Sequence, residues 1–168
     1  GDYDVHNLID KFPTQLNLTN EEYKIGNKIL KKHGYENQKI ILFIIRDDSY
    51  LKSIYSRSKF ISNYHSHRDD NIKNYEDAMM YLAKKGYLVL RMGKKVKKKI
   101  SIKHKNIVDY PFCEFKSDFM DIFIPSRCEL FISNNTGVDA IGLLFRKPLL
   151  HLGSIPLGAI STFSYKIF

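Results

Sequence analysis

The sequence predicts an α/β fold, a doubly wound parallel sheet with helices on both faces. Two observations carry this. Short apolar runs alternate with amphipathic helical stretches about four times along the chain. The first run, 39–45 (KIILFII), is apolar without alternation, which is the pattern of a strand buried on both faces.

The elements follow in order. Residues 1–18 are mixed and give no clear assignment. Thr19 followed three residues later by Glu22 is a capping box and opens a helix. Tyr23, Ile25, Ile29 and Leu30 give that helix a buried face, and Gly34 ends it after Lys31, Lys32 and His33. The strand at 39–45 runs into Arg46, Asp47, Asp48, Ser49 and Tyr50, and the chain stays polar and irregular to Asn74. A loop of that length inside a compact domain is usually functional or mobile. Asn74 caps a helix to about 85 with Tyr75, Ala78, Met79 and Leu82 on one face; Gly86 ends it and 87–91 is the next strand. Residues 107–108 form a short strand, and Ser117 opens a helix to Arg127 whose last turn Pro125 should shorten or kink. A strand at 130–132, a polar turn at 133–137, a helix at 138–145 and a strand at 149–152 complete the set. We expect an amino-terminal segment or connecting helix over 1–38 and one binding domain over 39–168.

Composition bounds the function. The 168 residues suffice for one domain that buries roughly 70% of its unfolded surface. Apolar content of 43%, with 11 Phe and 11 Tyr, argues against disorder. No apolar run reaches the ~18 residues needed to span a bilayer, and no signal-peptide pattern is present, so a cytoplasmic location is the expectation. The sequence opens on Gly1 rather than Met, and we expect that an upstream segment has been removed. Cys113 and Cys128 read as packing thiols. His65 and His67 form an H-x-H pair without a third ligand at metal spacing, so no metal site is expected.

The formal charge of +9 points to anionic partners. Five of the six residues from 94 to 99 are lysine, namely Lys94, Lys95, Lys97, Lys98 and Lys99. They read as a solvated loop, with peripheral contact to the inner membrane as the functional alternative. No aromatics are interleaved, so specific nucleic-acid binding is not expected.

Several residues fit the binding or turnover of a phosphate-bearing ligand. Arg46 ends the first buried strand, where a guanidinium suits a phosphate or carboxylate; a salt bridge to Asp47 or Asp48 is the structural alternative. Arg91 ends another strand, and Gly93 allows a sharp turn or close approach; a surface arginine ahead of the lysine run is the alternative. The turn Ser133, Asn134, Asn135, Thr136 and Gly137 lies at the carboxyl end of a strand, where such sheets bind ligands and a helix start offers amides to an anion. An ordinary cap is the alternative there. Asp48 and the histidines His65 and His67, in the HSHRDD cluster, are the candidates for a general base. Asp118 and Asp121 suit the start of their helix and read as structural.

A resemblance accompanies these residues. IIRDDSYL, YHSHRDDNIKNYEDAMMYLAKKGYLVLRMG, SDFMDIFIPSRCELFISNNTGVDAI and FRKPLL, in that order, cover roughly 70% of the chain. Together they resemble the carboxyl-terminal half of a family of bacterial glycosyltransferases associated with surface-polysaccharide synthesis. The resemblance implies a Rossmann-like domain of the two-domain GT-B fold that holds a nucleotide-diphosphate sugar, GDP- or UDP-linked, without metal or other cofactor. A glycan or lipid-linked acceptor would be the second substrate. By the same comparison Ser133 to Gly137 would touch the donor phosphates, and Arg91 and Gly93 would line the cleft. The IIRDD segment is similar to the His-x-Arg strand end of GDP-fucose-using enzymes. Ile44 stands at the histidine position, which leaves Arg46 as the phosphate ligand. A non-catalytic nucleotide or sugar-phosphate binding module, a lysine-driven nucleic-acid-binding protein and a sugar epimerase are the competing functions.

Overall fold

The computed structural model describes residues 4–54, 66–153 and 164–168. Helix α1 is Leu8–Lys11 and α2 is Asn20–Lys32; strand β1 is Ile40–Ile44 and α3 is Ser49–Ile54. Single 3₁₀ turns at Ser66–Arg68 and Ile72–Tyr75 lead into α4, Glu76–Lys84. Then come β2, Leu88–Arg91; β3, Ile107–Asp109; α5, Asp118–Arg127; β4, Cys128–Ser133; α6, Asp139–Leu144; and β5, Leu149–His151. The five strands form one sheet in the order β3-β2-β1-β4-β5. Every pairing between them is parallel.

All five residues of β1 are buried, as its unbroken apolar run requires. Alternation then sends its side chains to two cores. Ile40, Leu42 and Ile44 join Leu30 of α2 and Met120, Phe123 and Ile124 of α5 on one face. Ile41 and Phe43 join Met79 and Ala83 of α4 on the other. The sheet is therefore covered on both sides and doubly wound, as predicted.

Local chemistry sets the boundaries. The Thr19 hydroxyl accepts the Glu22 N–H at 3.2 Å and the Glu22 carboxylate accepts the Thr19 N–H at 2.6 Å, closing the capping box. Gly86 ends α4 with a φ of 94°, in the left-handed region that favours glycine. Helix α5 continues past Pro125 to Arg127 rather than stopping short of it, without the hydrogen bond that a residue-125 N–H would give the Asp121 carbonyl.

Five details differ from the sequence reading. Ile25 is 51% exposed, and the α2 contact is made by buried Gly26 instead. Ala78 is exposed while Ala83 faces the core. Asn71, not Asn74, caps the turn ahead of α4, accepting the Lys73 N–H. Cys128 opens β4, and α6 is shorter at both ends than 138–145. Among the described residues, no helix is long and apolar enough to cross a membrane.

Two outcomes follow from the packing. A Cβ on Gly26 would lie 2.3–2.4 Å from the buried Phe123 ring. Gly26→Ala should therefore cost about 1–3 kcal/mol of stability in urea denaturation. Burial pushes the Cys128 thiol up from 9.0 to about 12. A folded-state value above the unfolded one gives stability that is complete below pH 9 and is lost as pH rises towards 12, while the unfolded chain ionises. Cys128→Ala should remove about 2 kcal/mol of the loss measured between about pH 8.5 and about pH 10.5.

Candidate functional site

Strand order reverses between β1 and β4: the chain leaves β1 for β2 on one side and returns to β4 on the other. In open α/β sheets the crevice beyond the carboxyl ends of two such strands is where ligands bind. Arg46 follows β1 there, and Ser133 and Asn134 end β4.

Asn134 is 2% exposed and ties the edge together. Its Oδ1 accepts the Arg46 backbone N–H at 2.8 Å and its Nδ2 donates to the Arg68 carbonyl at 2.7 Å. Both ends of the amide are thus engaged within the protein. The Arg46 Nε donates to Asp69 Oδ1 at 2.9 Å, so the ion-pair partner is Asp69 and not Asp47 or Asp48. Its Nη2 is buried without a hydrogen-bond partner among the described residues.

The turn itself is closed by a second capping arrangement. Asn135 takes a φ of 61°, which asparagine tolerates. The Thr136 N–H and Oγ1 donate to the Asp139 carboxylate at 2.8 and 3.1 Å, and the Asp139 N–H returns to the Thr136 carbonyl at 3.2 Å. Ser133 Oγ is buried with no hydrogen-bond partner among the described residues, and the side of Gly137 where a Cβ would stand is open.

Arg91 is neither on the surface nor a spare cation. It is 1% exposed, and its Nε donates to Asp109 Oδ1 at 2.7 Å. Its Nη2 donates to the Lys98 carbonyl at 2.6 Å, so it holds the lysine loop against the sheet. Asp47 and Asp109 accept the Lys97 and Ile100 amides of that loop at 2.7 and 3.0 Å. At Gly93 a Cβ would meet Val96 at 2.7 Å, so glycine is required by this loop's packing. Lys97 also approaches Asp48 at 3.9 Å, and Lys99 sits 4.7 Å from the centre of the Phe112 ring.

A cavity of about 370 Å³ opens beside β1, walled by Asp47, Asp48, Asp69 and Asp70 with Arg91, Lys97 and Lys98. It lies on the β2 side of the switch point, next to Arg46 and not over the 133–137 turn. Two of these acids, Asp48 and Asp70, are held ionised by partners. The Lys52 ammonium at 2.5 Å keeps the Asp48 carboxyl below the usual range. For Asp70, partial burial works against the charge, but hydrogen bonds from the Tyr75 hydroxyl, the Asn71 amide and the Asn74 side chain outweigh it and lower the carboxyl. His67 stands exposed in the turn Ser66–Arg68, and His65 lies outside the described residues. Asp121 accepts the Tyr110 hydroxyl at 2.7 Å, a packing role.

Sequence reasoning missed Asp139 and His151, whose Oδ2 and Nε2 lie 3.2 Å apart. Thr136-x-x-Asp139 repeats the spacing of Thr19-x-x-Glu22, a signal that was available. His151 offers no such signal, since only the register of β4 on β5 brings it opposite Ser133.

The chain shares its fold with a heptosyltransferase. The structure of E. coli ADP-heptose LPS heptosyltransferase II aligns with 92% of this chain at 11% identity and a TM-score of 0.56. The alignment takes in 44% of that protein, so this chain spans less than half the length of its structural relative. Thermosulfurimonas dismutans KpsC, a β-Kdo 2,4 transferase, aligns with 86% of this chain and 49% of its own at 13% identity, with a TM-score of 0.41. No protein-family model and no curated protein matches the sequence.

The buried Arg91–Asp109 pair yields a direct test. Arg91→Met leaves Asp109 without its counter-charge and should cost about 3 kcal/mol. It should also speed tryptic cleavage within 94–99, seen as faster loss of intact protein in limited proteolysis.

Proposed function

We propose that this chain is the donor-binding domain of a GT-B glycosyltransferase, which binds a nucleotide-diphosphate sugar at the β1/β4 switch point. The observation that carries the reading is Arg46, placed at that point with a buried guanidinium nitrogen not committed to any described partner. A pyrophosphate there meets Arg46 on one side and the 133–137 turn on the other. Charge-assisted hydrogen bonds of this kind hold phosphate without a metal ion. The acidic cavity next to Arg46 suits hydroxyl groups, for which carboxylates are strong acceptors. The shared fold with an ADP-heptose LPS heptosyltransferase supports the same ligand class.

In transfer, an acceptor hydroxyl attacks the anomeric carbon and the bond from that carbon to the phosphate oxygen breaks. The nucleoside diphosphate leaves with the electron pair, stabilised by Arg46, and the hydroxyl proton passes to a base. Of the described candidates, Asp48 is weakened as a base by Lys52, which leaves His67 better suited. The acceptor is a glycan or lipid-linked sugar of surface-polysaccharide synthesis. The exposed lysines of 94–99 would suit contact with an acidic membrane surface.

Titration calorimetry with UDP, GDP, ADP and CMP tests the donor site. One nucleoside diphosphate should bind selectively, and Arg46→Ala should weaken it roughly ten- to a hundredfold. A folded protein that binds none of them would overturn the reading. Selective binding combined with no transfer by any longer form of the protein would favour a non-catalytic binding module.

A further inference from the structure

The 133–137 turn rests on a buried pair of titratable groups that the donor-site reading does not use. Ser133 and His151 are register partners on β4 and β5, so their side chains stand on the same sheet face. Phe131 and Leu149, two residues earlier on each strand, lie in the core cluster of that face. Asp139 opens α6 against them, with Oδ2 3.2 Å from His151 Nε2 and the two side chains only 7% and 6% exposed. The approach is close but not aligned as a hydrogen bond, and neither imidazole nitrogen has a hydrogen-bond partner among the described residues. The same Asp139 carboxylate anchors Thr136 through its N–H and hydroxyl.

This arrangement sets a conflict. A carboxylate that fixes the turn from within also repels an anion arriving at the turn from outside. Screening is weak because the carboxylate is buried. A proton on His151 offsets the Asp139 charge without releasing Thr136. Binding an anion must then favour the protonated imidazole, and by linkage the proton must favour the anion. Among the described residues Asp139 is the charged side chain against the ring. Strand β4 presents Ser133, and the carboxyl-terminal segment presents Phe168, whose carbonyl accepts the His151 N–H. Nearby, Lys166 Nζ is engaged with the Arg146 carbonyl. Arg46 and Arg68 reach the turn through Asn134 and Asn135 and not through His151.

We propose that His151 is the titratable counter-charge of the anion site, so that a diphosphate binds at the 133–137 turn together with a proton on His151. The inference rests on the donor-site reading above. Histidine suits the role because its charge changes near neutral pH.

Calorimetry of inorganic pyrophosphate, and of the nucleoside diphosphate that binds, in buffers of differing ionisation enthalpy tests the coupling. Wild type should take up as much as about one proton per anion, and affinity should fall by up to about tenfold per pH unit over the range where His151 is neutral in the free protein. His151→Gln should lose that uptake and bind weakly throughout. Asp139→Asn keeps an acceptor for Thr136 and removes the opposing charge. It should take up less proton than wild type, yet bind at high pH more tightly than wild type. The ligand's own titration is common to all three proteins and cancels in the differences, and far-UV circular dichroism confirms that each is folded. Where His151→Gln fails to fold, Asp139→Asn decides by the same readout. Uptake that persists in His151→Gln, is undiminished in Asp139→Asn, or is missing from wild type overturns the coupling and leaves the donor site standing. A folded wild type that binds no diphosphate overturns the donor site and the coupling with it.

Discussion

The bond from the Arg46 amide to the Asn134 side chain holds the functional edge of this protein in place. Beyond the last rung of the β1/β4 ladder the two strands part, and the backbone groups there lose their sheet partners. Buried backbone donors have to be satisfied by something else. Asn134 supplies an acceptor to one departing segment and a donor to the Arg68 carbonyl of another. A single amide therefore fixes three segments, and with them the position of the Arg46 guanidinium. A hydrophobic residue at this position would fill the space but take away the acceptor of the Arg46 N–H and the donor to the Arg68 carbonyl, which costs more than the packing returns.

The lysine-rich loop obeys a related rule. Its amides are taken by carboxylates rooted in the sheet and α4: Asp47 for Lys97, Asp109 for Ile100 and Glu76 for Ser101. Arg91 completes the clamp by binding the Lys98 carbonyl. The loop's backbone is thus ordered by charge from beneath, while most of its lysine side chains stay exposed. Acid groups under a basic loop give it a fixed shape without consuming its charge.

The fold was legible because its signals are local. An unbroken Ile-rich run can only be a two-faced buried strand, and Thr19 with Glu22 can only profit from opening a helix. Element order followed from these. The site was legible by position and less so by role. That Arg46 and the 133–137 turn share one edge follows from strand ends alone. The partners of those residues come from chain segments far apart: Asp69 for Arg46, Asp109 for Arg91, Arg68 for Asn134. No spacing in one sequence encodes them. Ile25 and Ala78 show the same limit on a smaller scale. Helical period narrows the buried face to a stripe, but the ring of Phe123 decides that Gly26 sits at its centre.

The two halves of the site ask for a ligand of two chemistries. Arg46 and the turn offer donors, whereas the cavity beside them offers acceptors from four aspartates. A simple anion would use the first half and leave the acceptors of the second idle; a neutral sugar would fit the second and leave the first unused. A molecule that joins a diphosphate to a polyhydroxylated ring satisfies both at once, and its two ends are kept in order by the charges themselves. Hydrogen-bond donors matched to the diphosphate and acceptors matched to the hydroxyls set that order, since specificity is the difference between the right and wrong placements.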